Sequence, residues 1–216
     1  MKKILVLIPA FLLAFQISKA QTEKGSQTLG LDVQFMHQNS TQMVTQTGDS
    51  YYNADFKFTN FNIGPNYSYF IADKLDIGTN LYYGNNKQTN GISGVPTVQD
   101  SHQYGATIFL RKYIMFGNKF GLRAGPYVGY YRTNYKYSDL SGENKSRENS
   151  YTAGANLAVV YYPAKKLGIS AILANASYNR FKQKNDTRDI SKGDNFNFNI
   201  INDGLALSVF YVFGGK

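Results

Sequence analysis

The 216-residue sequence contains no cysteine and no tryptophan, and it has only two histidines and five prolines. Without cysteine the chain cannot form a disulfide, and it cannot carry the acylated cysteine of a lipoprotein. Long apolar runs are also missing, apart from one near the N-terminus that is shorter than the roughly 20 residues a spanning helix needs. The composition therefore argues against a disulfide-stapled domain and against a helical membrane protein.

Residues 1–20 have the pattern of a secretory signal peptide. Two lysines precede an apolar core over residues 4–15, and Ser18-Lys19-Ala20 supplies the small residues that signal peptidase requires before its cleavage site. An uncleaved anchoring helix is the alternative, but the apolar run is short and Pro9 interrupts it. We therefore predict cleavage after residue 20 and a single domain over residues 21–216.

The formal net charge is +9, and removal of the predicted signal peptide, which holds three lysines and no acidic residue, leaves +6. This charge is modest and dispersed along the chain, so we expect no nucleic-acid partner. No metal-ligand spacing, phosphate-binding glycine loop or nucleotide fingerprint occurs, and we expect no cofactor and no metal site.

Eight stretches alternate large apolar residues with small or polar ones, which is the period of a β-strand with one apolar face. We predict strands at residues 28–37, 54–70, 75–84, 102–113, 120–135, 151–162, 167–178 and 196–213. The gaps between them alternate between short turns and long polar loops, and the predicted loops are residues 38–53, 85–101, 136–150 and 179–195. An even strand number with this alternation is typical of a transmembrane antiparallel up-and-down β-barrel.

The two faces of the predicted strands decide between a membrane barrel and a soluble one. One face is bulky and apolar, as at Leu29, Leu31 and Val33, whereas the other is small or polar, as at Gly30 and Asp32. The interior of an eight-stranded barrel is just wide enough for side chains, so the small face must point inward and the apolar face outward. An outward apolar face suits lipid, and a soluble lipocalin-like barrel would reverse the faces.

Tyrosine and phenylalanine recur where the predicted strands cross the membrane interfaces, as aromatic girdles do. The predicted turn-side girdle contains Tyr67, Tyr69, Tyr161, Tyr211 and Phe213, and the loop-side girdle contains Tyr83, Tyr104, Tyr130 and Tyr151.

At this level of detail the chain resembles the small eight-stranded outer-membrane β-barrels of the OmpA/OmpX type. The residues that carry the resemblance are the signal end at residues 18–21, the hairpin at residues 63–78, the segment at residues 109–113 and the closing strand at residues 204–213. Such barrels usually end on an aromatic residue, whereas here Gly214, Gly215 and Lys216 follow Phe213. The resemblance implies the outer membrane of a Gram-negative bacterium, periplasmic termini, contact with outer-membrane lipid and lipopolysaccharide, and recognition by the barrel-insertion machinery.

Four charged residues, Asp32, Asp76, Arg111 and Arg123, fall on the predicted inward face, near the end of the barrel with the short turns. Because buried charges are tolerated only when they are paired and hydrogen-bonded, we predict a structural charge network that plugs the narrow lumen. A proton or ion path through the same residues is the alternative.

Candidates for catalysis are few. His37 and His102 lie at predicted loop-side strand ends, and Asp100 and Ser101 adjoin His102, but adjacent strand residues point to opposite faces and make a poor dyad. We therefore predict no catalytic residues and interpret both histidines as rim residues. The alternative is an enzyme that modifies outer-membrane lipid.

The predicted function is envelope structure or surface interaction through the extracellular loops. The loop at residues 179–195 is rich in lysine and arginine and could bind lipopolysaccharide phosphates, although we favour a solvated loop because charge runs are usually just solvated. The loop at residues 38–53 could extend its flanking strands into a ribbon that offers an edge to a protein partner. The alternatives are a small pore, the lipid-modifying enzyme, and a periplasm-facing accessory to secretion.

Overall fold

The structure is a computed structural model that describes residues 21–46, 50–92, 95–139, 142–185, 189–200 and 205–214. The predicted signal peptide at residues 1–20 lies outside the described residues and stays a prediction. In the described part of the chain no helix has the length and apolarity to cross a membrane.

The described residues form nine antiparallel strands. They are β1 (Ser26–Gln46), β2 (Ser50–Ala72), β3 (Leu75–Ile92), β4 (Val95–Phe116), β5 (Phe120–Asp139), β6 (Gly142–Ala164), β7 (Leu167–Lys184), β8 (Asp189–Ile200) and β9 (Leu205–Gly214).

The strand pairings close into a ring. Each strand from β1 to β7 pairs with its successor, β7 also pairs with β9, and β9 returns to β1. β8 pairs with the second half of β7, so β8 and β9 together occupy the eighth position of the wall. The predicted single strand at 196–213 is thus two strands, but the predicted all-β barrel class is confirmed.

The side-chain faces agree with a barrel that spans a lipid layer. Large apolar side chains point outward and are exposed, for example Leu29 at 57 %, Leu81 at 54 % and Ile108 at 58 %. Exposed tyrosines cluster near both ends of this apolar belt, where the aromatic girdles were predicted. Below, we call the end with the short turns the turn end and the other end the tip end.

The predicted long loops are mostly strand, which corrects the sequence interpretation of three of them and agrees with the ribbon expected at residues 38–53. β1 and β2 stay in register out to the pair Gln46 and Ser50, and β5 and β6 out to Asp139 and Gly142. Side chains bond across these ribbons, as where the Thr41 hydroxyl donates to the Asp55 carboxylate. Beyond the lipid neither face needs apolar residues, so the alternation that marks a strand disappears although the pairing continues.

The segments Gly64-Pro65 and Gly125-Pro126 combine glycine with proline, and the sequence predicts a bulge or strong bend at each. The structure shows no register shift at either site. A Cβ at Gly64 would instead meet the Leu81 backbone carbonyl, and a Cβ at Gly125 would meet the Leu110 carbonyl. These glycines therefore permit a close approach between neighbouring strands.

One seam of the barrel wall is unpaired. β1 pairs with β9 from Ser26 to Phe35, and among the described residues no backbone pairing joins the rest of β1 to β8. The side chains of residues 194–200 in β8 are exposed on both faces of the strand. At the tip end both β1 and β8 consequently have a strand edge that pairs with no other described residue.

Candidate functional site

The centre of the lumen near the turn end is an ion pair between Asp76 and Arg111. These residues are directly opposite each other on β3 and β4, and Asp76 is fully buried while Arg111 is 7 % exposed. Arg111 donates from Nε to Asp76 Oδ1 at 3.0 Å and from Nη2 to Oδ2 at 2.6 Å. This two-point geometry is the strongest that a guanidinium and a carboxylate form.

Neutral hydroxyl groups complete the environment of the Asp76 carboxylate. Ser68 donates to Oδ2 at 2.7 Å and Tyr113 donates to the same oxygen at 3.1 Å. The hydroxyls of Thr28 and Ser68 share a further hydrogen bond of 2.7 Å. The buried charge is thus both paired and hydrogen-bonded, as a buried carboxylate requires.

The other two predicted charges are close by, but they have neutral hydrogen-bond partners. Asp32 accepts from the side-chain amides of Asn66, at 2.7 Å, and Asn80. Arg123 donates to the Ser170 hydroxyl at 2.6 Å, and its guanidinium lies 5.5 Å from the centre of the Phe210 ring. All four predicted residues therefore lie in one lumen. Among these four, only Asp76 and Arg111 form an ion pair with each other.

An apolar cluster closes the lumen on the turn side of this pair. It consists of the buried side chains Phe70, Tyr113, Val160, Tyr162, Phe210 and Val212. The rings of Phe70 and Tyr113 are 5.3 Å apart, and Tyr162 packs edge-on against Phe210 at 5.8 Å. The turn end of the barrel is consequently packed with side chains.

Residues 21–25 lie across the same end as a short strap. The Gln21 side chain donates to the Ala164 carbonyl at 2.9 Å, and the Thr22 carbonyl accepts from the Lys74 backbone at 2.7 Å. Both Gln21 and Thr22 are buried. The strap covers the apolar cluster from outside the barrel.

On the tip side of the ion pair the lumen contains a cavity of about 330 Å³. Its lining includes the charged residues Asp32 and Arg123 and the aromatic pair Tyr82 and Tyr131, whose rings meet edge-on at 5.5 Å. The lumen is therefore packed at one end and hollow in the middle.

The two histidines lie apart from the lumen. His37 is 2.9 Å from the Thr59 hydroxyl, and His102 shares hydrogen bonds of 3.2 Å with Tyr83 and with Asn85. Asp100 is on the same face as His102, with 3.9 Å between Oδ1 and Nε2, whereas Ser101 is buried and donates to a backbone carbonyl.

Within the described ranges no group of three or more metal-ligating residues occurs. His102 and Asp100 come together on an open face, and the adjacent serine points away from them because strand neighbours alternate. Ser101 is therefore not placed to pair with His102.

The residues that sequence reasoning missed are the neutral partners of the charges. Alternation places Ser68 on the predicted inward face, and Tyr113 has the same parity as Arg111, but the sequence interpretation assigned neither as a partner of the charges. Their contacts with Asp76 depend on how β2, β3 and β4 align, and that alignment is not visible in any one strand.

These features together define a closed up-and-down β-barrel with a lipid-facing apolar belt and a lumen sealed at its turn end. The resemblance expected from the sequence agrees with this fold. No family model and no curated protein matches the chain.

The chain is similar to Ail, the attachment invasion locus protein of Yersinia pestis, with 15 % identity over 88 % of this chain and 99 % of that one and a TM-score of 0.40. It is also similar to the outer membrane protein OprG of Pseudomonas aeruginosa, with 14 % identity over 91 % of this chain and 100 % of that one and a TM-score of 0.48. For the N-terminal β-barrel domain of OprF from Pseudomonas aeruginosa the identity is 15 % over 88 % of this chain and 98 % of that one, with a TM-score of 0.35.

Proposed function

We propose that this protein is a non-conducting barrel of the bacterial outer membrane that presents its tip-end sheet to protein partners outside the cell. The outward apolar belt and the two aromatic girdles support the membrane location. The short turns and the strap would then face the periplasm. Envelope structure and surface contact are the roles that suit a barrel of this kind.

The observation that carries the proposal is the tall paired sheet with a free edge. β1 continues for eleven residues after its last pair with β9, at Phe35, and among the described residues it pairs only with β2 over that length. At roughly 3.3 Å per residue this ribbon extends roughly 35 Å along the strand. Free backbone donors and acceptors on such an edge can pair with an extended segment of another protein.

The packed turn end supports the absence of conduction. A permeant ion would have to pass the apolar cluster and the strap, and the buried pair of Asp76 and Arg111 leaves its charges mutually compensated. Planar-bilayer recording of the refolded barrel tests this directly, with a boiled and unboiled gel shift to show folding. We expect a silent membrane, and discrete openings from folded protein would contradict the proposal.

Surface contact is tested by shortening one ribbon. Residues 40–56 would be replaced by Asn-Gly, which suits a two-residue hairpin because Asn39 and Lys57 are directly opposite. A matched control replaces residues 89–98 by Asn-Gly, since Gln88 and Gln99 are likewise opposite. We expect the first change alone to reduce aggregation of displaying cells and their retention on protein-coated surfaces. Equal adhesion by both variants and the unaltered protein would contradict the proposal.

A further inference from the structure

The outward surface of β5, β6 and β7 beyond the tip-end girdle is basic, and the strand register concentrates its charge. Lys136 on β5 is directly opposite Lys145 on β6, and Arg147 on β6 is directly opposite Lys184 on β7. Like charges in such cross-strand positions normally repel and destabilise a sheet. We call the four side chains of Arg132, Lys136, Lys145 and Arg147 the basic face.

Within the described part of the chain, the two lysines of the basic face share one carboxylate partner. Glu143 accepts from Lys136 at 2.6 Å and from Lys145 at 3.1 Å. The hydrogen bonds from these two lysines hold the pKa of the Glu143 carboxyl below its ordinary value, so this group stays ionised. Glu143 is thus shared by two lysines, and Asp100 on β4 is directly opposite Lys136. Among the described residues neither Arg132 nor Arg147 forms an ion pair with a carboxylate, so both can bind another anion.

The guanidinium groups of Arg132 and Arg147 have hydrogen-bond donors available for an anion. Arg147 makes only a long hydrogen bond of 3.4 Å from Nε to Asn134, and the buried Arg132 Nε has no hydrogen-bond partner. Both line a groove of about 670 Å³ together with Lys136, Lys145 and Lys184. No carboxylate occurs among the described residues that line it.

The groove begins at the aromatic girdle. Tyr130 and Tyr151 are exposed at this level, with their rings 5.2 Å apart, and Tyr130 donates to Asn149 at 3.0 Å. Arg132 is two residues beyond Tyr130 on the same face, roughly 7 Å along the strand. The basic face therefore begins where lipid headgroups meet the barrel.

The opposite half of the barrel provides the contrast. Beyond the girdle, the strand residues of β1 to β4 carry two lysines and two aspartates, which are Lys57, Lys87, Asp55 and Asp100. Of these, Asp100 on β4 borders the basic face, because it is directly opposite Lys136 on β5. The charges balance there, so the basic face is confined to one side of the barrel.

We propose that the basic face binds the phosphate groups of lipid A, the phosphorylated glycolipid anchor of lipopolysaccharide in the outer leaflet. The acyl chains would lie along the apolar belt below Tyr130 and Tyr151, and the phosphates would accept hydrogen bonds from Arg132 and Arg147. Arginine suits this role because its planar guanidinium can bond a phosphate at two points. The proposal rests on the outer-membrane orientation proposed above.

The test measures binding of purified lipid A to the folded barrel in neutral detergent by native mass spectrometry. The double variant Arg132→Gln/Arg147→Gln loses two charged hydrogen bonds to the phosphates. We therefore expect its affinity for lipid A to fall at least about tenfold. The matched control Lys57→Gln/Lys87→Gln removes the same charge from the other half and should leave affinity unchanged. A gel shift confirms that each variant is folded.

A second part of the experiment changes the ligand and uses the unaltered protein. Lipid A stripped of its phosphates should bind the unaltered barrel as weakly as the arginine variant does, and inorganic phosphate should not compete at equal concentration. Equal losses in the two double variants, or full competition by inorganic phosphate, would overturn the proposal. These outcomes leave the adhesion assay of the shortened ribbons unaffected, so the two proposals can fail separately.

Discussion

Replacement of Arg111 by methionine isolates the energetic role of the buried ion pair. Methionine keeps much of the side-chain volume and removes both donors to Asp76, which is fully buried and would keep only Ser68 and Tyr113 as partners. Removing one partner of a buried ion pair costs about 3–5 kcal/mol, because an uncompensated charge stays behind. With a urea dependence of about 2 kcal/mol per molar, the unfolding midpoint should fall by about 2 M.

The assay is urea unfolding of the barrel in lipid vesicles, followed by gel shift and tyrosine fluorescence. Lys112→Met is the control, since it removes a cation from the exposed neighbouring position. The double variant Asp76→Leu/Arg111→Met should recover most of the stability, because an apolar pair can replace a buried ion pair at little cost. The reasoning is refuted if Arg111→Met unfolds at the midpoint of the unaltered protein, or if the double variant is as unstable as the single one.

Three further outcomes are expected. Gly64→Ala should abolish the gel shift of the folded barrel, because its methyl group would meet the Leu81 backbone carbonyl. The control Gly91→Ala should fold, since its methyl group would lie 3.6 Å from its nearest neighbour, the Asp55 carbonyl oxygen. A folded Gly64→Ala variant would show that the strands can separate. In hydrogen-exchange NMR, alternate amides of residues 40–46 should exchange quickly while those of residues 27–35 are protected, since among the described residues only the latter pair on both sides. Uniform protection would mean that the seam is closed. Glu143→Gln should tighten lipid A binding, because it frees two lysines; weaker binding would contradict the role given to the basic face.

Much of the fold could be predicted because the information is local. The alternation of Leu205, Leu207 and Val209 with small or polar residues has the two-residue period of a strand, and an eight-stranded wall leaves only one way to orient its faces. The same parity placed Asp76 and Arg111 in the lumen. The sequence alone thus determined the barrel class, the lipid-facing side and the level of the girdles.

Except at residues 38–53, where a ribbon was expected, the continuation of the strands past the girdles was missed for a physical reason. Residues 85–91, for example, are polar or glycine, and strands in water can be polar on both faces, so alternation gives no signal there. Their structure comes from hydrogen bonds to the opposite strand. Such pairing depends on two segments at once.

Strand register and the closure of the ring decided which side chains contact each other and which strand edges stay unpaired. Asp76 meets Arg111, and Lys136 meets Lys145, because each neighbouring strand aligns at one position among several that the sequence allows. The unpaired seam between β1 and β8 likewise exists only once the ring is closed through β9. The sequence by itself determined which side chains face the lumen and which face lipid, since that is a property of each strand. Only the tertiary structure decided which of them touch, because a contact across a barrel depends on the alignment of every strand between.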